Sequence, residues 1–201
     1  GAAVSICARG ADGVKDAETA LKRTGATVHA ATCDLGDGDA VRAYVEAAAK
    51  ALGGIDILVN NASGFGRTED EAGWAASINV DLMGSVRATQ TAIPHLQKAG
   101  GGAILHISSI SGLAPSVRTP PYGAVKAALI QLTLTQAAAL AKDNIRVNCI
   151  APGSIEFPGG VWDQAKTGNP KLYDSILGGI PFGRMGTAEE VANAAVFLCS
   201  A

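Results

Sequence analysis

Short apolar runs alternate with helix-patterned stretches from one end of this 201-residue chain to the other, and that alternation constrains its fold more than any other feature. The runs fall at Val4–Ala8, 26–32, 55–59, 103–107 and Ile145–Ile150. Between them the spacing predicts helices over 13–23, 39–52, 74–97 and 121–141, and a last helix opens at Thr187. Gly25, the Gly53-Gly54 pair and Gly100-Gly101-Gly102 stop three of these helices, Asp39 is the expected N-cap of the second, and Thr187 with Glu190 has capping-box spacing. The 55–59 run is almost wholly apolar, as suits a parallel strand buried on both faces. Strands alternating with long helices imply right-handed crossovers. The expected fold is therefore α/β: one doubly wound parallel sheet, Rossmann-like, in three αβα layers and a single domain. After Pro152-Gly153 the pattern loosens, and 154–180, rich in Gly, Pro and aromatic residues near its start, reads as a mobile loop over the substrate.

Composition removes several function classes. A net charge of −2 offers no basic surplus for nucleic acid. No run of about 18 apolar residues argues for a membrane span, and the opening GAAVSICARG has no charged leader, so a cytoplasmic protein is expected. Cys7, Cys33, Cys149 and Cys199 form no CxxC pair and read as small hydrophobes in a reducing compartment. His29, His95 and His106 show no ligand spacing, so no metal is expected.

In such a sheet ligands sit beyond the carboxyl ends of the strands. Arg9, Asp34, Asn60, Ser109 and Pro152 each lie just past a predicted strand. Tyr122 and Lys126 are four apart on a predicted helix and so share a face. An ammonium beside a phenol favours the phenolate, and a tyrosine so placed passes a proton to or from an alkoxide. Upstream, Ile-Leu-His-Ile-Ser-Ser-Ile-Ser-Gly (104–112) runs from a strand into a hydroxyl-rich turn, with Ser109 thirteen residues before Tyr122.

The string S-x-x-G followed by Y-x-x-x-K resembles the catalytic signature of the short-chain dehydrogenases/reductases. Asn60-Asn61-Ala62-Ser63 is similar to that family's N-N-A-G turn, Cys33-Asp34-Leu35 to its adenine-contacting turn, and Pro152-Gly153 to its step beside the nicotinamide. The segment Pro181-Phe182-Gly183-Arg184 with Glu190 matches the approach to its last helix. The resemblance implies an oxidoreductase that interconverts a carbonyl and a secondary alcohol with a nicotinamide cofactor. Tyr122 would be the general acid/base, and Lys126 would hold the nicotinamide ribose and depress the Tyr122 pKa. Ser109 would hydrogen-bond the substrate oxygen, with Ser108 and Ser111 as near alternatives. Asp34, Leu35, Asn60 and Ala62 would line the adenosine side, and Pro152, Gly153 and Ile155 the nicotinamide. Asn and Asp also cap turns for local reasons. Ala8 stands where NAD-preferring members carry an acid, and Arg9 follows, so NADP(H) is favoured over NAD(H).

Three departures from the pattern matter. The family's first strand, its Gly-rich T-G-x-x-x-G-x-G turn and its last strand do not occur in these residues, so a chain clipped at both ends is expected. Asp81, in Val80-Asp81-Leu82-Met83-Gly84, stands where the family has an Asn that supports the proton relay; the Asp adds a charge near Lys126. Phe157 takes the place of a Thr, and with Trp162 it either lines an apolar pocket or anchors the loop. Asp81 and the missing turn motivate an alternative, a catalytically idle relative acting as a dinucleotide-binding sensor or scaffold. Otherwise the partners are a small carbonyl or alcohol and further copies of the chain, as a dimer or tetramer through its long Ala-rich helices.

Overall fold

The computed structural model describes residues 1–200, with five main strands and eight α-helices in the expected alternation. Strands β1 (Val4–Ala8) and β2 (Val28–Thr32) form one parallel pair. Strands β3 (Ile57–Asn60), β4 (Gly102–Ile107) and β5 (Ile145–Ile150) form a second parallel ladder in that order. The short strands β6 (Ile155–Glu156) and β7 (Gly186–Thr187) pair separately. No ladder joins β1–β2 to β3–β4–β5 among the described residues, and the parallel strands with helices on both faces are those of the expected Rossmann-like fold. Central β4, paired on both sides, buries Ala103, Ile104, Leu105 and His106 in succession.

Helices α1 (Ala11–Lys22) and α2 (Gly38–Leu52) follow β1 and β2. The N-cap of α2 is Asp37, not Asp39: the Asp37 carboxylate accepts from the N–H groups of Asp39 and Ala40. The single helix expected over 74–97 is three segments, α3 (Glu71–Ala76), a π-helix (Ser77–Gly84) and α4 (Ser85–Lys98). Asp70 caps α3 by accepting from the Gly73 N–H at 2.8 Å. Helix α5 (Pro120–Leu140) begins with two prolines, where missing N–H groups leave no helical bond unmade. With its 3₁₀ extension, α5 is long and apolar enough to cross a membrane by length and composition, yet it lies along β4 and β5. The 154–180 stretch is largely helical, containing α6 (Val161–Gly168) and α7 (Pro170–Gly178). Helix α8 (Ala188–Cys199) opens with the expected capping box between Thr187 and Glu190.

The two main ladders share one core. Val41 and Val45 of α2 and Ala88, Ala92 and Leu96 of α4 pack with Cys33, Ile104, Ile145 and Val147. The α2–α4 contact therefore bridges the halves. A second bridge lies nearer the strand ends, where Arg87 donates to the Gly36 carbonyl at 3.3 Å.

Candidate active site

Beyond β4, Ser109 caps a short 3₁₀ turn (Ile110–Gly112), accepting from the Ser111 N–H at 3.1 Å. This turn lies directly on the backbone of α5. A Cβ on Gly112 would sit 2.6 Å from the Ala127 nitrogen, so only glycine allows the approach. The turn is also tied to β5, since Ser108 N–H donates to the Ile150 carbonyl and Ile110 N–H to that of Pro152. These ties fix Ser109 against the first turns of α5, which carry Tyr122 and Lys126. The Ser108 hydroxyl donates to the Lys126 carbonyl at 2.7 Å, which leaves Ser109 as the hydroxyl facing Tyr122.

Lys126 is almost completely enclosed. Its Nζ donates to the Ile107 carbonyl at 2.9 Å, lies 3.1 Å from Asp81 Oδ1, and sits 5.3 Å from the centre of the Tyr122 ring. Side-chain exposures of 3% for Lys126 and 0% for Asp81 make this a buried ion pair. An ammonium has three N–H donors, so one remains for a ligand. Asp81 reaches this position from the π-helix, whose wider turns are found often at functional sites.

Asp81 also holds the loop after β3. Its carboxylate accepts from the Ser63 hydroxyl at 2.6 Å and from the Gly64 N–H at 2.7 Å. The Ser63 oxygen in turn accepts from Phe65 N–H, and Ser77 accepts from Gly66 N–H. Between these anchors Phe65 adopts φ +46°, a left-handed conformation unusual for an aromatic residue. Its ring meets the Tyr122 ring edge-on at 5.0 Å, and Arg67 covers Phe65 at 5.4 Å. Sequence reasoning missed Phe65. The signal available was an aromatic residue between two glycines directly after the Asn60–Ser63 turn.

The electrostatics differ from expectation at one point. The Tyr122 pKa lies above, not below, its ordinary value of 10. Burial is the largest cause, the Ser109 hydroxyl opposes it, and the Asp81 charge adds to the rise. Burial and the Asp81 charge together oppose the depression expected from a neighbouring ammonium. Next to them, His106 is pushed down by burial, with Lys126 adding to the fall. His106 accepts at Nδ1 from Asn60 and meets Gln136 at Nε2, a neutral link in a buried chain.

The residues expected on the cofactor side divide into two groups. Asn60, half-buried, donates its amide N–H groups to Thr89 and His106. Asp34 accepts from Gly36 N–H in a local turn, with Leu35 beside it packed on the shared core. Arg9 is exposed just past β1 and has no ion-pair partner among the described residues. Ala62 is exposed at the end of β3, and Pro152 and Gly153 flank the Ser109 turn. Ile155 is drawn instead into β6, opposite Gly186. A nicotinamide cofactor fits this arrangement at two points, the third N–H of Lys126 and the unpaired Arg9.

Over the 154–187 region lies a cavity of about 310 Å³ that neither Phe157 nor Trp162 lines. Its wall is mixed: Glu156, Lys166, Tyr173 and Arg184 contribute, with Leu177 and Met185. Lys166 and the Tyr173 hydroxyl both donate to Glu156, which joins β6 to α6 and α7.

Comparison with known proteins identifies the family. A family model described as enoyl-(acyl carrier protein) reductase matches residues 1–201. The dehydrogenase/reductase SDR family member 4 of Bos taurus is 35% identical over 207 residues, covering 100% of this chain and 72% of that protein. The 3-oxoacyl-[acyl-carrier-protein] reductase FabG of Chlamydia trachomatis is 38% identical over 198 residues, covering 95% of this chain and 77% of that protein. Among solved structures, L-sorbose reductase from Gluconobacter frateurii, complexed with NADPH and L-sorbose, superposes with a TM-score of 0.91 at 36% identity, covering 100% of this chain and 81% of its own. The chain belongs to the short-chain dehydrogenase/reductase family of oxidoreductases.

Proposed function

We propose that this protein interconverts a small carbonyl compound and the corresponding secondary alcohol, with Tyr122 as the proton-transferring group. One observation carries the reading. The Ser109 turn is anchored on α5 so that a serine hydroxyl, a phenol and an enclosed ammonium meet at one buried spot. A binding module has no need of that combination.

A nicotinamide bound at the strand ends would supply or accept the hydride. The chain's own residues do the rest. The Ser109 hydroxyl and the Tyr122 phenol hold the substrate oxygen, and as negative charge grows there the phenol transfers its proton. Lys126 has one N–H left to orient a ribose hydroxyl. Arg9 would read a 2′-phosphate, so NADP(H) is the favoured cofactor and NAD(H) the alternative. Free thiols at all four cysteines are in keeping with a reducing, cytoplasmic setting. A dimer or tetramer would cover Leu134, 62% exposed on α5.

Replacing Tyr122 by Phe in the intact protein tests the assignment. Turnover of a ketone panel should fall by about a hundredfold or more while NADPH binding persists. Unchanged turnover would overturn the assignment, and absence of turnover in the wild type would favour a dinucleotide-binding sensor.

A further inference from the structure

The Asp81 carboxylate makes three contacts that no neutral side chain would reproduce. Its two oxygens receive the Ser63 hydroxyl, the Gly64 N–H and the Lys126 ammonium, all of them donors. An amide offers one accepting oxygen and would turn its NH₂ towards the Gly64 N–H or towards Lys126. Through Gly64 the same carboxylate fixes the loop that sets Phe65 on the Tyr122 ring. The pocket around residue 81 is wired for an anion.

Resting on the reading of Tyr122 as the proton donor, we propose that Asp81 is a positioning residue that neutralises Lys126 and thereby keeps Tyr122 protonated, so that the site works as a carbonyl reductase across the neutral range. The argument is electrostatic. Alone, the Lys126 ammonium 5.3 Å from the ring would favour the phenolate. Paired with a fully buried carboxylate at 3.1 Å, it presents little net charge to the phenol. The buried phenol then stays neutral, and the direction of the Tyr122 pKa is in accord with this. Carbonyl reduction needs a proton donor and is served directly. Alcohol oxidation needs a base, and has to wait until the phenol ionises at alkaline pH.

Other charged groups on elements packed against α5 do not alter this balance. His106 of β4 is buried and neutral. Glu71 of α3 is exposed, and Arg146 at the start of β5 is turned to the Leu198 and Ser200 carbonyls. Lys142 and Asp143 lie at the far end of α5. Arg67 is separated from the phenol by the Phe65 ring, and Arg118 is exposed on the loop before α5.

The test is an NMR titration of the intact protein labelled at tyrosine ¹³Cζ, since this chain has only three tyrosines and Tyr122→Phe identifies the resonance. In the wild type the Tyr122 midpoint should lie above the ordinary value of about 10. In Asp81→Asn it should fall by about one pH unit or more, and alcohol oxidation near neutrality should rise about tenfold relative to reduction. A wild-type midpoint below about 10 overturns the proposal without any variant. Coincident midpoints in wild type and Asp81→Asn also overturn it. If the amide variant does not fold, Asp81→Ser, uncharged and still an acceptor, takes its place with the same criteria. The NMR midpoints need no turnover, so a failure of the oxidoreductase assignment, seen as unchanged activity in Tyr122→Phe, is told apart from a failure of the Asp81 argument.

Discussion

Single residues here divide by whether their chemistry is already taken up inside the protein. Asn60 and Arg9 both stand past strand ends, and from sequence they were equal candidates for the cofactor. Asn60 commits its amide N–H groups to Thr89 and His106. Arg9 is exposed and unpaired among the described residues, which leaves its five N–H donors to an incoming phosphate. Arg9→Ala should therefore weaken NADPH binding by about tenfold or more and leave NADH almost unchanged, with the difference shrinking as salt is raised. Parallel titrations followed by nicotinamide fluorescence would measure this, and an equal loss for both cofactors would remove Arg9 as a phosphate reader. The candidate catalytic residues were legible because their signal is a spacing along the chain: thirteen residues from Ser109 to Tyr122, four from Tyr122 to Lys126. The sign of the Tyr122 shift was not. It depends first on burial that only the folded packing creates, and then on Asp81, forty-one positions upstream of Tyr122.

At the scale of elements, helix ends were read better than helix interiors. The capping box at α8 was visible because its two partners, Thr187 and Glu190, are three residues apart, and the fold reproduces both of its bonds. Arg184 adds a two-pronged contact to Glu190, whose carboxyl is held down to about 2, first by that contact and then by the Thr187 N–H. A carboxylate depressed on folding contributes stability above its ordinary value of 4.5, and this contribution disappears as pH falls through about 2. Thr187→Ala should cost about 1 kcal/mol, seen as a fall in melting temperature of about 2–4 °C at neutral pH. An unchanged melting temperature would mean that the cap adds nothing to α8. The segment 74–97 shows the opposite case. Its apolar positions recur smoothly, so the pattern gave no hint of the π-helix that carries Asp81 inward. One extra residue per turn is enforced by what the turn packs against, here Leu35, Lys126 and the Ser63–Gly66 loop. Likewise α7 inside the expected loop depends on Asn169 accepting from Leu172 N–H ahead of Pro170, a cap easily read as a turn.

For the molecule as a whole, the alternation of runs foretold parallel strands and covering helices but not how evenly the strands would be buried. Burial depends on neighbours in the sheet, which sequence periodicity does not encode. Strand β4 has partners on both sides, from Leu58 and Val59 opposite Ile104 and Leu105 to Val147 and Asn148 on the other flank. Among the described residues the two ladders share one core through helix packing. Stability should follow depth of packing. The backbone groups of β4 are released only when Ile104, Leu105 and the helices over them separate, whereas those of the largely exposed helices α6 and α7 open by local fluctuation. Hydrogen exchange should therefore find the β4 amides slowest, with exchange set by global unfolding. The α6 and α7 amides should exchange orders of magnitude faster. Uniform protection across β4, α6 and α7 would show that this segment opens only together with the core.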